Sequence, residues 1–419
     1  MCNRPLWQKM VVIGSQGPSN QSAAANPEPF RDVTTDFALM KQTRLLAEYR
    51  IQGRRLAPLT LMMVALCACS GDRRAQDSAI DNIVMKYHGA GKFTGSVLVG
   101  RDDRVVYVRS IGLADKSWRV SNTAETRFQI GSLTKQFTAA LILGLVQQRR
   151  IDLDAPLSTY LPDYRAESGR LVTIRNLLDH SSGIPDLAHR PDILEIVKRP
   201  ATPAEVVRNY CSGQLEFEPG SRFNYCNCGY LILGAIYERV SGQSYLEGVQ
   251  RLASRAGLHD TGISGPRDVV PGLATAYVVE NGRLVKAPYI EWSVTFASGG
   301  LYSSVLDLWR WRCALMDGTA LGKEAKAELF AMRPFGYSYG WHVGRTDRDH
   351  LRKFLANDYD TERPPRSANI MLASHSGDLP GFHSCMTILL DGSWTVILLD
   401  NQDSKSLPDL AAEILTAAL

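Results

Sequence analysis

Ser132 and Lys135 stand three residues apart in the stretch FQIGSLTKQFTAA, which runs from Phe128 to Ala140. Residues at that spacing share a helix face, so the lysine amine reaches the serine hydroxyl. Phe137, Leu141, Ile142, Leu143, Leu145 and Val146 leave the helix apolar on most sides, which predicts burial. Burial disfavours an ammonium ion, so a desolvated lysine is neutral enough to accept a proton. At the start of the helix Ser132 also meets unpaired N–H groups and the positive end of the helix dipole, both of which favour a developing anion. One turn therefore offers a nucleophile, a base and part of an oxyanion hole. Taken alone the pair is a weak sign, since a capping serine and a solvated lysine give the same letters. It is, however, the only S-x-x-K in the chain, and its helix leaves little room for a polar face.

Two further segments supply polar groups of the right kind. Tyr225 and Asn227 form the only Y-x-N, in FNYCNCGY, between Pro219-Gly220 and a predicted helix. A tyrosine there can relay a proton between Ser132 and a leaving group, while Asn227 can hold Lys135 or a substrate amide. In SHSGDLPGF, His375, Ser376, Gly377 and Asp378 precede the last hairpin and suit an inner strand lining the site. Gly377 would let a substrate backbone approach closely, and the N–H of Asp378 would complete the oxyanion hole. His342-Val343-Gly344 imitates this segment, but His375 is preferred because a strand hairpin follows it. Ser367-Ala368-Asn369 lies too close to His375 to be a separate motif. His180-Ser181-Ser182 suggests a Ser-His-Asp triad, yet G-x-S-x-G is absent, and with it a nucleophile elbow.

The elements that must position these residues are readable in outline. FTGSVLVG and RVVYVRSIG flank a polar turn at Arg101-Asp102-Asp103 and predict a hairpin. CMTILL and SWTVILL flank Asp391-Gly392 and predict another, followed by the amphipathic helix DLAAEILTAAL. Helices dominate from Asp152 to about Pro288. TIRNLLDHSSGIPD reads as a helix ending near Gly183, and GYLILGAIYERVSG as one ending at Gly242. The expected fold is α+β, an antiparallel sheet built from both ends of residues 81–419 and flanked by helices. A mostly helical lobe, about 132–288, is inserted into it.

Together the three segments resemble those of the serine β-lactamase and penicillin-binding-protein family. The likeness is to the branch of class C β-lactamases, D-alanyl-D-alanine carboxypeptidases and related esterases, whose second motif is Y-x-N. IDLDAPLSTYLP, TIRNLLDHSSGIP, PGSRFNYCNCGYLILG and ASGGLYSS resemble family segments in family order, so the resemblance covers roughly Asp81 to the end. It implies a β-lactamase-like fold and a serine hydrolase that works through an acyl-enzyme without a cofactor. Ser132 would be acylated. Lys135 and Tyr225 would share general-base and general-acid work, with the first proton acceptor left open. The N–H groups of Ser132 and Asp378 would bind the oxyanion. His375 stands where class C enzymes carry the lysine of K-T-G, and no K-x-G occurs in the chain. A histidine is mostly neutral near pH 7 and gives a substrate carboxylate no fixed charge. A D-amino-acid peptidase or esterase is therefore favoured over a true β-lactamase. The reading from another class is a non-turnover penicillin-binding or peptide-binding protein.

Composition narrows the partners. Net charge is +4 with no long basic run, which makes nucleic acid a poor partner. Neither H-E-x-x-H nor paired C-x-x-C occurs, so no metal is expected. The expected ligand is a small-molecule or peptide substrate. Residues 1–68 read as a leader and signal peptide, with the stretch before Met40 either an over-extended start or a long leader. A basic stretch ends in Arg54-Arg55, and the apolar run Leu56 to Ala68 is too short to span a membrane. LCAC resembles a lipobox with Cys69 as the lipidated residue. Ser70 then points to an outer-membrane lipoprotein facing the periplasm, tethered through 69–80 and touching the membrane by its lipid anchor alone. Cys211, Cys226, Cys228, Cys313 and Cys385 remain, so a disulfide is possible in an oxidising compartment, with its pairing open.

Overall fold

Valine-rich alternation at the start of the domain produces a strand buried on both faces. The computed structural model describes residues 76–265, 268–357, 364–404 and 406–419. The leader, the apolar run and Cys69 lie outside the described residues. Strand β1 (Gly95–Arg101) turns at Asp102-Asp103 into β2 (Arg104–Ile111). Five more strands join them: β3 (Tyr337–Ser338), β4 (Trp341–Thr346), β5 (Ile370–Leu379), β6 (Phe382–Leu389) and β7 (Trp394–Asp400). The sheet order is β3-β4-β5-β6-β7-β1-β2, antiparallel throughout. Strands from the two ends of the domain meet where β7 pairs with β1, with Gly95 opposite Asp400.

Successive side chains on a strand point to opposite faces, and here each face is covered. Val97, Val99, Val396 and Leu398 pack with Ile80, Val84 and Tyr87 of helix α1 (residues 76–89). The last helix, α7 (Leu407–Ala418), adds Leu410, Ala411 and Ile414 to the same cluster. Leu98, Ala373, Met386, Ile397 and Leu399 pack on the other side with the helical segment. That segment contains α2 (Thr134–Gln147), α3 (Asn227–Ser241), α4 (Tyr245–Arg255), α5 (Trp292–Gly299) and α6 (Val305–Met316). α3 ends as expected, with Gly242 in the left-handed conformation at φ 75°.

Two predicted boundaries move: the helical segment runs on past 288 through α5 and α6, and one helix stops early. The helix expected to end near Gly183 covers only Ile174–Leu178. His180, at φ +62°, breaks it instead. The chain beyond then serves as a docking edge: Asn224 N–H donates to His180 O, Gly220 N–H to Ser181 O and Glu216 N–H to Gly183 O. Cys211 and Cys228 form a disulfide joining the end of the helix Pro203–Tyr210 to the first turn of α3.

An ion cluster centred on the buried His383 ties β5, β6 and the segment after β7. His383 Nδ1 bonds Asp378 Oδ1 at 2.8 Å and its Nε2 bonds Asp403 Oδ1 at 3.0 Å. Burial pulls this imidazole towards neutrality, but the two carboxylates overcome it and push its pKa up to about 10. A group raised in the folded state stabilises fully below its unfolded pKa, and that contribution fades as pH climbs through the folded value. Unfolding free energy should therefore fall between about pH 7 and 10. His383→Gln should flatten that slope in denaturant titrations; equal slopes in both proteins would contradict the assignment.

Candidate active site

Ser132 lies in a single 3-10 turn, Gly131–Leu133, which leads directly into α2. The turn is pinned from several sides. Ile130 N–H donates to Leu301 O, Leu301 N–H to Thr134 Oγ1, and Ser384 Oγ to Ile130 O. α2 is buried along nearly its whole length, and Lys135 is 0% exposed while Ser132 remains half-buried. The apolar surround predicted from sequence is present.

Lys135 Nζ contacts Ser132 Oγ at 3.0 Å, Asn227 Oδ1 at 2.9 Å and Ser298 O at 2.7 Å. Ser298 is in the last turn of α5, where carbonyls have no partner within the helix. Lys135 takes one of these, and Thr138 Oγ1 takes the neighbouring Ala297 O at 2.6 Å. The rings of Tyr225 and Tyr230 lie 4.8 and 5.5 Å from the amine. Burial lowers the Lys135 pKa to about 7, while the Asp186 carboxylate holds it up.

Hydrogen counting then fixes where the lone pair points. A neutral amine has two N–H bonds and one lone pair. Ser298 O and Asn227 Oδ1 can only accept, so they take both hydrogens. The third contact, the Ser132 hydroxyl, can donate, and so it faces the lone pair.

The second segment is held from the loop beyond His180. His180 Nδ1 accepts from Cys226 N–H at 3.1 Å, which leaves its proton on Nε2. Asp186 Oδ1 accepts from the N–H groups of Asn227 and Cys228 at 2.9 and 3.4 Å, and its Oδ2 accepts from Asn227 Nδ2 at 3.0 Å. A distant carboxylate thus caps α3. Cys226 is free and buried, with its thiol donating to Ile184 O, while Cys228 carries the disulfide.

β5 brings the third segment against the nucleophile turn. Gly377 was expected to admit a substrate backbone, but it makes room for the turn itself. A Cβ there would sit 2.1 Å from Ile130 O and 2.9 Å from Ser132 N. A Cβ on Gly131, whose φ is +52°, would lie 3.2 Å from Asp378 N. Leu379 and Phe382 face each other across the turn Pro380-Gly381. Antiparallel bonding alternates, so the Asp378 N–H, one step along, turns away from β6. The N–H groups of Ser132 and Asp378 are thereby brought together.

His375 is placed as expected but is not free to bind a carboxylate. Its Nδ1 lies 2.6 Å from Ser376 O, an acceptor, so the proton is on Nδ1. Its Nε2 then accepts from Tyr337 O–H at 3.0 Å. Burial holds its pKa well below the usual value, with His342 and Lys135 adding to the effect. His342 sits beside it, ring centres 5.5 Å apart, with burial lowering its pKa to about 4. His375 is thus a neutral, buried imidazole beside the site, its ring 6.2 Å from that of Tyr225. Asp186, Ser298 and Tyr337 were not among the residues singled out from sequence. Asp186 closes the segment TIRNLLDHSSGIPD, Ser298 acts through a backbone atom, and Tyr337 reads as core.

A family model described as Beta-lactamase matches residues 80–419. The chain belongs to the beta-lactamase family. PbpX of Bacillus subtilis (strain 168), named as a penicillin-binding protein, is 26% identical over 312 residues, covering 74% of this chain and 71% of that protein. The D-amino acid amidase of Ochrobactrum anthropi SV3 superposes with a TM-score of 0.67 at 22% identity, over 82% of this chain and 98% of the amidase. EstCE1, a hydrolase with promiscuous acyltransferase activity, gives 0.67 at 20% identity, over 83% and 99%. These two likenesses carry the fold, which is the serine-hydrolase type of β-lactamase fold expected from sequence.

The contacts at Gly377 generate a prediction. Gly377→Ala forces the nucleophile turn away from β5, which misplaces an oxyanion donor. For the hydrolase proposed below, turnover should fall about 100-fold or more, the usual effect of losing one oxyanion donor. A purified, folded variant with wild-type kcat would contradict the close packing.

Proposed function

We propose that this protein is a serine hydrolase that cleaves an amide or ester through an acyl-enzyme, of the D-amino-acid peptidase, amidase or esterase type. The observation that carries the reading is the buried Lys135 amine, which has two acceptor-only partners and the Ser132 hydroxyl as its third hydrogen-bond contact. In this account Ser132 Oγ attacks the carbonyl carbon as its proton passes to Lys135 Nζ. The oxyanion forms between the N–H groups of Ser132 and Asp378, each worth about 3 kcal/mol of transition-state stabilisation. Tyr225, its ring against Lys135, gives its proton to the leaving group and takes the one Lys135 received, so that both groups return to their starting state. Water then repeats the sequence to release the acid.

His375 argues for the class of bond. A neutral imidazole with both nitrogens already bonded gives a substrate carboxylate neither charge nor donor. Leaving groups without a carboxylate, as in esters and simple amides, fit this imidazole better than a β-lactam acid. The amidase and esterase-like hydrolase that share the fold have names in keeping with this. The substrate is a small molecule or peptide. Export to the periplasm with Cys69 as a lipid anchor is part of the same proposal, and the Cys211–Cys228 disulfide supports an oxidising compartment.

A fluorophosphonate probe should label the wild type and not Ser132→Ala. In a panel of p-nitrophenyl esters, D-amino acid amides, D-Ala-D-Ala peptides and a chromogenic cephalosporin, kcat/KM should be highest for the esters or amides. Labelling that survives Ser132→Ala would refute the nucleophile; a cephalosporin turned over fastest would refute the substrate class.

A further inference from the structure

Asp186 touches none of the atoms assigned to bond making, yet the orientation of Asn227 depends on it. Both of its oxygens are used as acceptors, one by two backbone N–H groups and the other by Asn227 Nδ2. A carboxylate cannot donate, so the Asn227 amide has one satisfactory orientation, nitrogen towards Asp186 and oxygen towards Lys135. Were the amide reversed, an N–H would face Lys135 Nζ. The amine would have to turn its lone pair to Asn227 and withdraw it from Ser132.

We infer that Asp186 is a positioning residue which, through the Asn227 amide, aims the Lys135 lone pair at the Ser132 hydroxyl. The inference rests on the reading of Lys135 as the base for Ser132. Asp186 is 5% exposed and sits just ahead of the turn Leu187–His189, a segment distant in sequence from both motifs it serves. Its charge acts as well, on the ionisation of Lys135. Burial raises its pKa, and His189, Lys135 and the Asn227 bonds counter that. In return its charge holds the Lys135 ammonium up against burial. The other titratable groups around the amine are the phenols of Tyr225 and Tyr230 and the imidazoles of His180 and His375.

Asp186→Asn separates these effects from mere packing. Asparagine keeps the shape but has one acceptor. Its oxygen is claimed by the backbone N–H groups of α3, so its NH2 faces Asn227 and turns that amide over. With Lys135 misdirected, kcat should fall at least about tenfold, towards the 100-fold that general-base catalysis commonly supplies, while KM changes less than about twofold. Loss of the negative charge lowers the Lys135 pKa, so the acid limb of the kcat/KM profile on a p-nitrophenyl ester should move to lower pH. The double variant Asp186→Asn, Asn227→Asp restores an acceptor facing Lys135. It should recover much of kcat and move the acid limb above the wild-type position, because a carboxylate now touches the amine. If the single variant does not fold, the double variant alone carries the test. Wild-type kcat and limb in Asp186→Asn, a fall in kcat with the limb unmoved, or a double variant whose limb does not rise would overturn the inference. If the wild type shows no Ser132-dependent ester turnover, the proposed function itself fails, which is a separate outcome.

Discussion

A primary amine shut away from water must find partners for every hydrogen it keeps, and the site is organised around that requirement at Lys135. Desolvating an ammonium ion costs several kcal/mol, so the amine either loses its proton or gathers strong acceptors. Here it does part of each. Its pKa falls to about 7, and two carbonyl-type oxygens hold its remaining hydrogens. Those oxygens come from α5 and from the first residue of α3. The two helices are far apart in sequence and are packed against α2 by the helical core. The same packing that excludes water from Lys135 therefore delivers its partners.

The oxyanion side obeys a different constraint, close approach of two backbones. β5 reaches the nucleophile turn because neither Gly377 nor Gly131 has a Cβ to keep them apart. β5 is fixed by pairing with β4 and β6, and Ser384 of β6 also bonds the turn directly. On the opposite face, the Asp378 side chain is gripped by His383, which also holds Asp403. One residue thus offers its N–H to the cleft while its carboxylate is anchored behind the sheet. The insertion of the helical segment between β2 and β3 sets the cleft at the seam between sheet and helices, where all three motifs converge.

How much of this was legible in the sequence depended on how local each signal is. The hairpins β1–β2 and β6–β7 follow from β-branched residues around polar turns, and the closing helix from its amphipathic spacing. Ser132 with Lys135, and Tyr225 with Asn227, stand out because reactive side chains at short spacing leave a pattern in the letters. Asp186 leaves none, since it caps a helix that begins some forty residues later. Ser298 contributes a carbonyl, which every residue has. Tyr337 resembles any core aromatic, and its hydroxyl matters only because a hairpin places it on His375. The helix ending at Leu178 was read too long because a histidine, not a glycine, adopts the left-handed conformation there. Gly377 is expected from sequence to admit a substrate backbone, whereas the backbone that approaches it in the structure is the protein's own.

The central claim is that Lys135 is a neutral amine under the conditions in which Ser132 attacks. Its ionisation can be followed directly by NMR in protein carrying lysine labelled at the ε-carbon, with Lys135→Arg used to assign the signal. A titration midpoint near 7, far below that of the surface lysines, is the predicted result. A midpoint near the ordinary lysine value of about 10.4 would show an ammonium at neutral pH and contradict the account.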